Sequence, residues 1–156
     1  MKIYLINIGK TNISYLKEGI LYYETRITKY IPFEICNIPD MKRIKSLPVN
    51  DIQESESKRI LKYIEKADHS VLLDKKGKEF DSKEFSVYIQ KLMTRSLSTV
   101  YFFTGGIYGF AKEVYSRADE HVSLSKLTFP HQMIRLIFAE QLYRALTIWK
   151  GEPYHH

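Results

Sequence analysis

The stretch STVYFFTGG occupies residues 98–106. Its β-branched and aromatic residues carry no charge, the composition of a strand buried on both faces. It runs straight into Gly105-Gly106, where the backbone can turn sharply or let another group approach closely. Asp81 and Glu84, upstream, have the spacing of a capping box and open a helix to about Ser96. Before that helix, Ser70–Asp74 (SVLLD) reads as a short buried strand and KKGK (75–78) as a loop. Downstream come a short helix around Ala111–Arg117, a strand near His121–Leu124 and a long last helix from Pro130.

The N-terminal half repeats the alternation. Residues 2–8 (KIYLINI) form a strand ended by Gly9. Ile13, Leu16, Ile20, Tyr23 and Ile27 recur at helical spacing over 13–31, with Pro32 closing the segment. Residues 33–38 (FEICNI) are a second strand, and PDMKRIKSLPVN, with Lys42, Arg43 and Lys45, reads as a mobile loop. Residues 51–66 form an exposed helix with Asn50 as its N-cap. Strands alternating with helices predict an α/β fold: a mostly parallel sheet with helices on both faces. The 156 residues show no repeat or linker, so a single domain, 1–156, is expected.

Composition narrows the function. Lys and Arg number 24 against 18 Asp and Glu, a net charge of +6 that suits a polyanionic partner. Cys36 is the only cysteine, which excludes an internal disulfide and fits a reducing cytoplasmic setting. No apolar run has the roughly 20 residues needed to span a bilayer, and MKIYLINIGK is too alternating for a signal peptide.

Open α/β sheets bind ligands at the carboxyl ends of their strands. Three turns stand there: Leu73-Asp74, Gly105-Gly106 and Leu124–Phe129 (LSKLTF). All offer backbone N–H and C=O groups to a ligand. A P-loop at Gly9-Lys10-Thr11 fails, because Tyr4 stands where a glycine is required. The turn at 105–109 lacks the G-x-G-x-x-G spacing of a dinucleotide site. His69, His121, His131, His155 and His156 lack zinc spacing, so no metal is expected. Pro130 suits the first turn of the last helix, and from Met133 to Trp149 apolar residues wrap its circumference. A second subunit is the simplest cover for such a helix. Glu140 and Arg144 have the spacing of an i,i+4 ion pair, with Arg144 reaching a phosphate as the alternative.

The strand with Gly105-Gly106-x-x-Gly109, the run SLSKLTFPH (123–131), the segment AEQLYRA (139–145) and the terminal Pro153-Tyr154-His155 together resemble the RlmH (YbeA-like) family of ribosomal RNA large-subunit methyltransferases, of the SPOUT class. The similarity covers the whole length and is strongest from about residue 99 onward. His156 stands where the family commonly ends in lysine or arginine. The resemblance implies a C-terminal trefoil knot, with knot and cofactor site within about 70–156. It implies a pocket for S-adenosylmethionine formed by Leu73, Gly105, Leu124, Ser125, Lys126, Leu127, Thr128 and Phe129. It further implies a homodimer packed through the first and last helices, and methylation at N3 of a pseudouridine in 23S ribosomal RNA of the assembled bacterial ribosome. His155 or His131 would take the N3 proton, and Tyr154 would stack on a base, with the tail folding over the pocket. Two rivals stand against this: a dinucleotide-dependent oxidoreductase, which wants an acidic ribose ligand about 20 residues beyond its glycine turn, and a non-catalytic RNA-binding protein.

Overall fold

The structure, a computed structural model, describes residues 1–40 and 47–154. Lys42, Arg43 and Lys45 of the expected loop, and His155 and His156 of the tail, lie outside the described residues. Strands and helices alternate: β1 (Lys2–Ile8), α1 (Ser14–Ile27), β2 (Phe33–Ile38), α2 (Val49–Ile64), β3 (His69–Glu79), α3 (Ser82–Thr94), β4 (Thr99–Thr104), α4 (Lys112–Arg117), β5 (Glu120–Ser123) and α5 (Met133–Lys150). The strands form one sheet in the order β2-β1-β4-β3-β5, parallel at every pairing.

Successive side chains of a strand point to opposite faces, and β4 shows the consequence. Phe102 joins Ile27 of α1, Phe85 and Ile89 of α3, and Phe138 and Leu142 of α5 in one core. Phe103 joins Ile60 and Ile64 of α2 and Val114 of α4 in the other. Both rings are fully buried. The uncharged run 99–104 thus forms a central strand clad on both sides.

The structure moves several expected boundaries. β3 does not stop at Asp74 but runs to Glu79. Leu73 and Lys78 both stand opposite Val122, so residues 74–77 bulge out before pairing with β5 resumes. Backbone hydrogen bonds hold this edge segment without apolar side chains, which is why KKGK reads as loop. At Gly77 the two backbones come so close that a Cβ would lie 2.5 Å from the Val122 nitrogen. α1 ends at Ile27 and not at 31, because a turn at 28–30 intervenes before Pro32. α2 begins at Val49 with Pro48 at the N-cap, so Asn50 sits within the first turn and caps nothing. The capping box of α3 is present: Asp81 Oδ1 accepts from the Glu84 N–H at 2.7 Å, and Glu84 Oε2 accepts from the Asp81 N–H at 2.8 Å.

α5 starts at Met133, three residues beyond Pro130, whose carbonyl accepts from the Met133 and Ile134 N–H groups. It ends at Gly151, whose φ of 68° permits the reversal that closes the last turn. α5 lies between α1 and α3 against the sheet, and its wide apolar surface is covered largely from within the chain. Trp149, 40% exposed, is the large apolar side chain it leaves to solvent.

Candidate active site

A polar ladder ties the carboxyl ends of β4, β1 and β2 together. The Thr104 hydroxyl donates to Asn7 Oδ1 at 2.8 Å, and Asn7 Nδ2 donates to Asn37 Oδ1 at 3.2 Å. Thr104 and Asn7 are each 1% exposed, so the residue preceding Gly105 is fixed by hydrogen bonds that have no competing water. The turn that follows closes on itself through a bond from the Gly109 N–H to the Gly106 carbonyl. Gly109 has a φ of 72°, the left-handed region that favours glycine. Asp74 accepts from the Tyr115 hydroxyl at 2.7 Å and from the Lys76 N–H at 2.9 Å, anchoring the β3 turn to α4. In the third loop the Ser123 hydroxyl donates to the Ser125 carbonyl, and Ser125 Oγ accepts from the Leu127 N–H.

These three turns meet. They line one pocket of about 460 Å³ with Phe110, His131 and Ile134 completing its walls. That volume lies in the range of sites for small molecules and cofactors. The lining is mainly apolar side chains and backbone. Gly106 and His131 also face a small second cavity of about 20 Å³, bounded by Asp40, Ile52 and Glu56. Glu56 is 6% exposed, and its Oε2 has no hydrogen-bond partner. Burial, then the nearby Asp40, hold its carboxyl above the ordinary value.

α5 meets the site at its N-terminal end through a buried cation. Arg135 is fully buried; it donates from Nη2 to the Ile8 carbonyl at 2.5 Å and from Nη1 to Thr11 Oγ1 at 3.0 Å. Burial brings its pKa down to about 10, so it still carries its charge at neutral pH. Gln132 Oε1 accepts from the Asn12 N–H at 2.8 Å. The exit of β1 and the start of α5 are therefore stitched together beside the pocket. His131 is pushed below its ordinary value by burial and then by the Arg135 charge, against a smaller opposing pull from Asp40. Its imidazole is neutral at neutral pH and can accept a proton.

A family model described as predicted SPOUT methyltransferase matches residues 1–155. The chain belongs to the SPOUT methyltransferase family. It is 53% identical over 156 residues to ribosomal RNA large subunit methyltransferase H of Parabacteroides distasonis, covering 100% of this chain and 99% of that one. The protein of the same name from Christiangramia forsetii is 51% identical over 100% and 99% of the two chains. That from Cytophaga hutchinsonii is 49% identical over the full length of both. The fold, the strand-end pocket and the motifs read from the sequence thus agree with a methyltransferase of this family.

Of the residues the sequence assigned to a cofactor, Leu73, Gly105, Leu124, Ser125, Leu127, Thr128 and Phe129 line the pocket. Lys126 does not; its ammonium turns out to solvent 3.4 Å from Glu79. Tyr154 and Arg144 lie elsewhere, among the side chains of α1 and α5. Arg144 donates to Glu140 Oε1 from Nε at 3.0 Å and Nη2 at 2.6 Å, the expected i,i+4 pair. The Tyr154 hydroxyl contacts Tyr23 at 3.2 Å and donates to Glu140 at 3.1 Å, and its ring packs on Tyr143. Burial leads in raising the Tyr154 phenol pKa, which excludes it as a base at neutral pH. The tail up to Tyr154 therefore packs along its own helices and does not fold over its own pocket. Sequence reasoning missed Glu56, Asp40 and Arg135. Glu56 had a signal: it stands four residues after Ile52 and four before Ile60, on the buried stripe of α2.

Proposed function

We propose that this SPOUT methyltransferase uses S-adenosylmethionine to methylate N3 of a pseudouridine in 23S ribosomal RNA of the assembled bacterial ribosome. The observation that carries the reading is the convergence of the 73–75, 105–110 and 124–131 segments on one pocket. Its residues fit the cofactor. Leu127, Phe129 and Ile134 offer apolar walls for an adenosine, Gly105 and Gly106 let backbone approach it, and the volume suits the whole molecule. When bound, the cofactor supplies a methyl group already activated on a sulfonium.

What this chain must add is alignment of the acceptor nitrogen and a place for its proton. His131, neutral and at the pocket wall, is one acceptor for that proton; His155 is the alternative. Tyr154 would stack on a base, and Arg144 would meet a phosphate beyond its pairing with Glu140. Both sit toward the far end of α5, whose 18 residues span about 27 Å. An antiparallel homodimer through α1 and α5 resolves the separation, since it would set the tail of one copy near the pocket of the other. The exposed Tyr15, Leu21 and Tyr22 of α1 support that interface. The strand order β4-β3-β5, with α5 returning to the α1/α3 face, supports a trefoil knot within about 70–156 in a single 1–156 domain.

Calorimetry with S-adenosylmethionine and with NADH, followed by methyl transfer to ribosomes lacking the modification, tests the proposal. Binding of the methyl donor alone and a new methyl on the pseudouridine N3 are expected. Binding of NADH in its place would reject the cofactor. RNA binding that ignores the methyl donor, without transfer, would favour a non-catalytic RNA-binding protein.

A further inference from the structure

A second groove, of about 610 Å³, lies between α3, the far part of β3 and the start of β5. Its cations are Lys78, Lys83, Lys91 and Arg95, all exposed. Lys83 and Lys91 are eight residues apart on one face of α3, about 12 Å along the axis, with the 48%-exposed Val87 between them. The floor is aromatic: Phe80 and Tyr88 stack with centroids 5.0 Å apart and planes 25° from parallel. The Lys78 ammonium lies over the Phe80 ring at 4.9 Å.

The two carboxylates of the groove are already engaged. Glu84 closes the capping box, and Glu120 contacts His69 at 2.9 Å and Arg95 at 3.6 Å. Among the described residues, Lys83 and Lys91 have no ion-pair partner. Two unpaired lysines on one helix face, flanked by two further cations and an aromatic pair, are the chemistry that holds a sugar–phosphate backbone. A second copy of the chain is a poor occupant, because a two-fold contact through this face would set like charges against each other. The groove is also near the chemistry. Lys78 is four residues beyond Asp74, a pocket residue, so the two are at most about 13 Å apart along the strand.

We propose that this groove binds the backbone of the RNA substrate, flanking the nucleotide that enters the cofactor pocket. The proposal rests on the RNA methyltransferase reading above and adds to it a positioning surface that takes no part in the reaction. Lys83 and Lys91 anchor phosphates there, over the apolar floor that the Phe80–Tyr88 stack provides.

The test is a Lys83→Gln/Lys91→Gln double variant of the full chain. Binding of a fluorescent large-subunit RNA transcript is measured across a salt series, with KM and kcat on ribosomes and calorimetry with S-adenosylmethionine alongside. Each lost phosphate contact lowers the log–log salt slope by about 0.7 on single strands, so the slope should fall by about 1.4 and affinity at 0.15 M salt by about tenfold. KM should rise by a similar factor, with kcat at saturating ribosome and cofactor affinity unchanged. Lys83→Arg/Lys91→Arg should restore the slope. A salt slope and KM equal to those of the unsubstituted chain would overturn the proposal. So would a changed mass by light scattering with RNA affinity intact, which would place a protein in the groove. A wild-type chain that moved no methyl to ribosomes would instead reject the methyltransferase assignment, and the RNA salt slopes would still decide the groove.

Discussion

Glu56 packs behind the Gly105-Gly106 turn, and Gly106→Ala tests whether it sets the position of that turn. A Cβ built on Gly106 lies 2.4 Å from one Glu56 carboxylate oxygen and 2.8 Å from the other. Roughly 1 Å must be found to reach ordinary van der Waals contact. Glu56 is 6% exposed, with a cavity of only about 20 Å³ beside it, so the displacement is shared between its carboxylate and the turn. Overpacking of this kind costs about 1–3 kcal/mol. The turn is a wall of the pocket proposed for the cofactor. If it must return to its native position to bind, the same strain opposes binding and weakens affinity about 5- to 150-fold. Shortening the opposing side chain should relieve it. Glu56→Ala combined with Gly106→Ala is expected to recover most of the loss, giving a coupling of about 1 kcal/mol or more in a double-mutant cycle. Calorimetry with S-adenosylmethionine reads affinity, and urea unfolding reads stability. Wild-type affinity in Gly106→Ala, or strictly additive effects in the pair, would refute the idea that Glu56 sets the position of this turn.

Two further outcomes concern the tail and the buried carboxyl. Truncation after Glu152 should cut methyl transfer to ribosomes by orders of magnitude, since alignment and a candidate base are both lost. It should also cost about 1–2 kcal/mol of stability, because the Tyr154 hydroxyl contacts Tyr23 and Glu140; full-rate transfer by the truncated chain would end the tail hypothesis. Because the folded Glu56 pKa lies above the ordinary 4.5, the folded state keeps a proton that the unfolded chain has released just above that pH. Stability from this group is complete below about 4.5 and is lost as pH rises through the folded value. The stability difference between Glu56→Gln and the parent should therefore shift in favour of the variant across that window and then level off; a difference constant from pH 4 to 8 in urea titrations would contradict it.

The sequence by itself determined the alternation of strands and helices, the capping box at Asp81 and Glu84, and the strand-end turns at Gly105-Gly106 and Leu124–Phe129. Each depends on local chemistry: β-branched runs, a reciprocal N-terminal hydrogen-bond pair, small residues at a strand exit. It also carried the family motifs from 99 onward and, through them, most of the pocket lining. Only the tertiary structure decided the rest. The second half of β3 is a strand because β5 lies beside it to accept its hydrogen bonds, a fact that KKGK cannot announce. Glu56 on an outwardly polar helix and Arg135 on an apolar one became neighbours of the pocket only when α2 and α5 packed against opposite faces of the same strand ends. Tyr154 and His131, both assigned to the same chemistry from the sequence, stand at opposite ends of α5, because a helix converts separation along the chain into distance. Local propensity reads one segment at a time, whereas the cavity, the buried charges and the basic groove are products of several segments meeting.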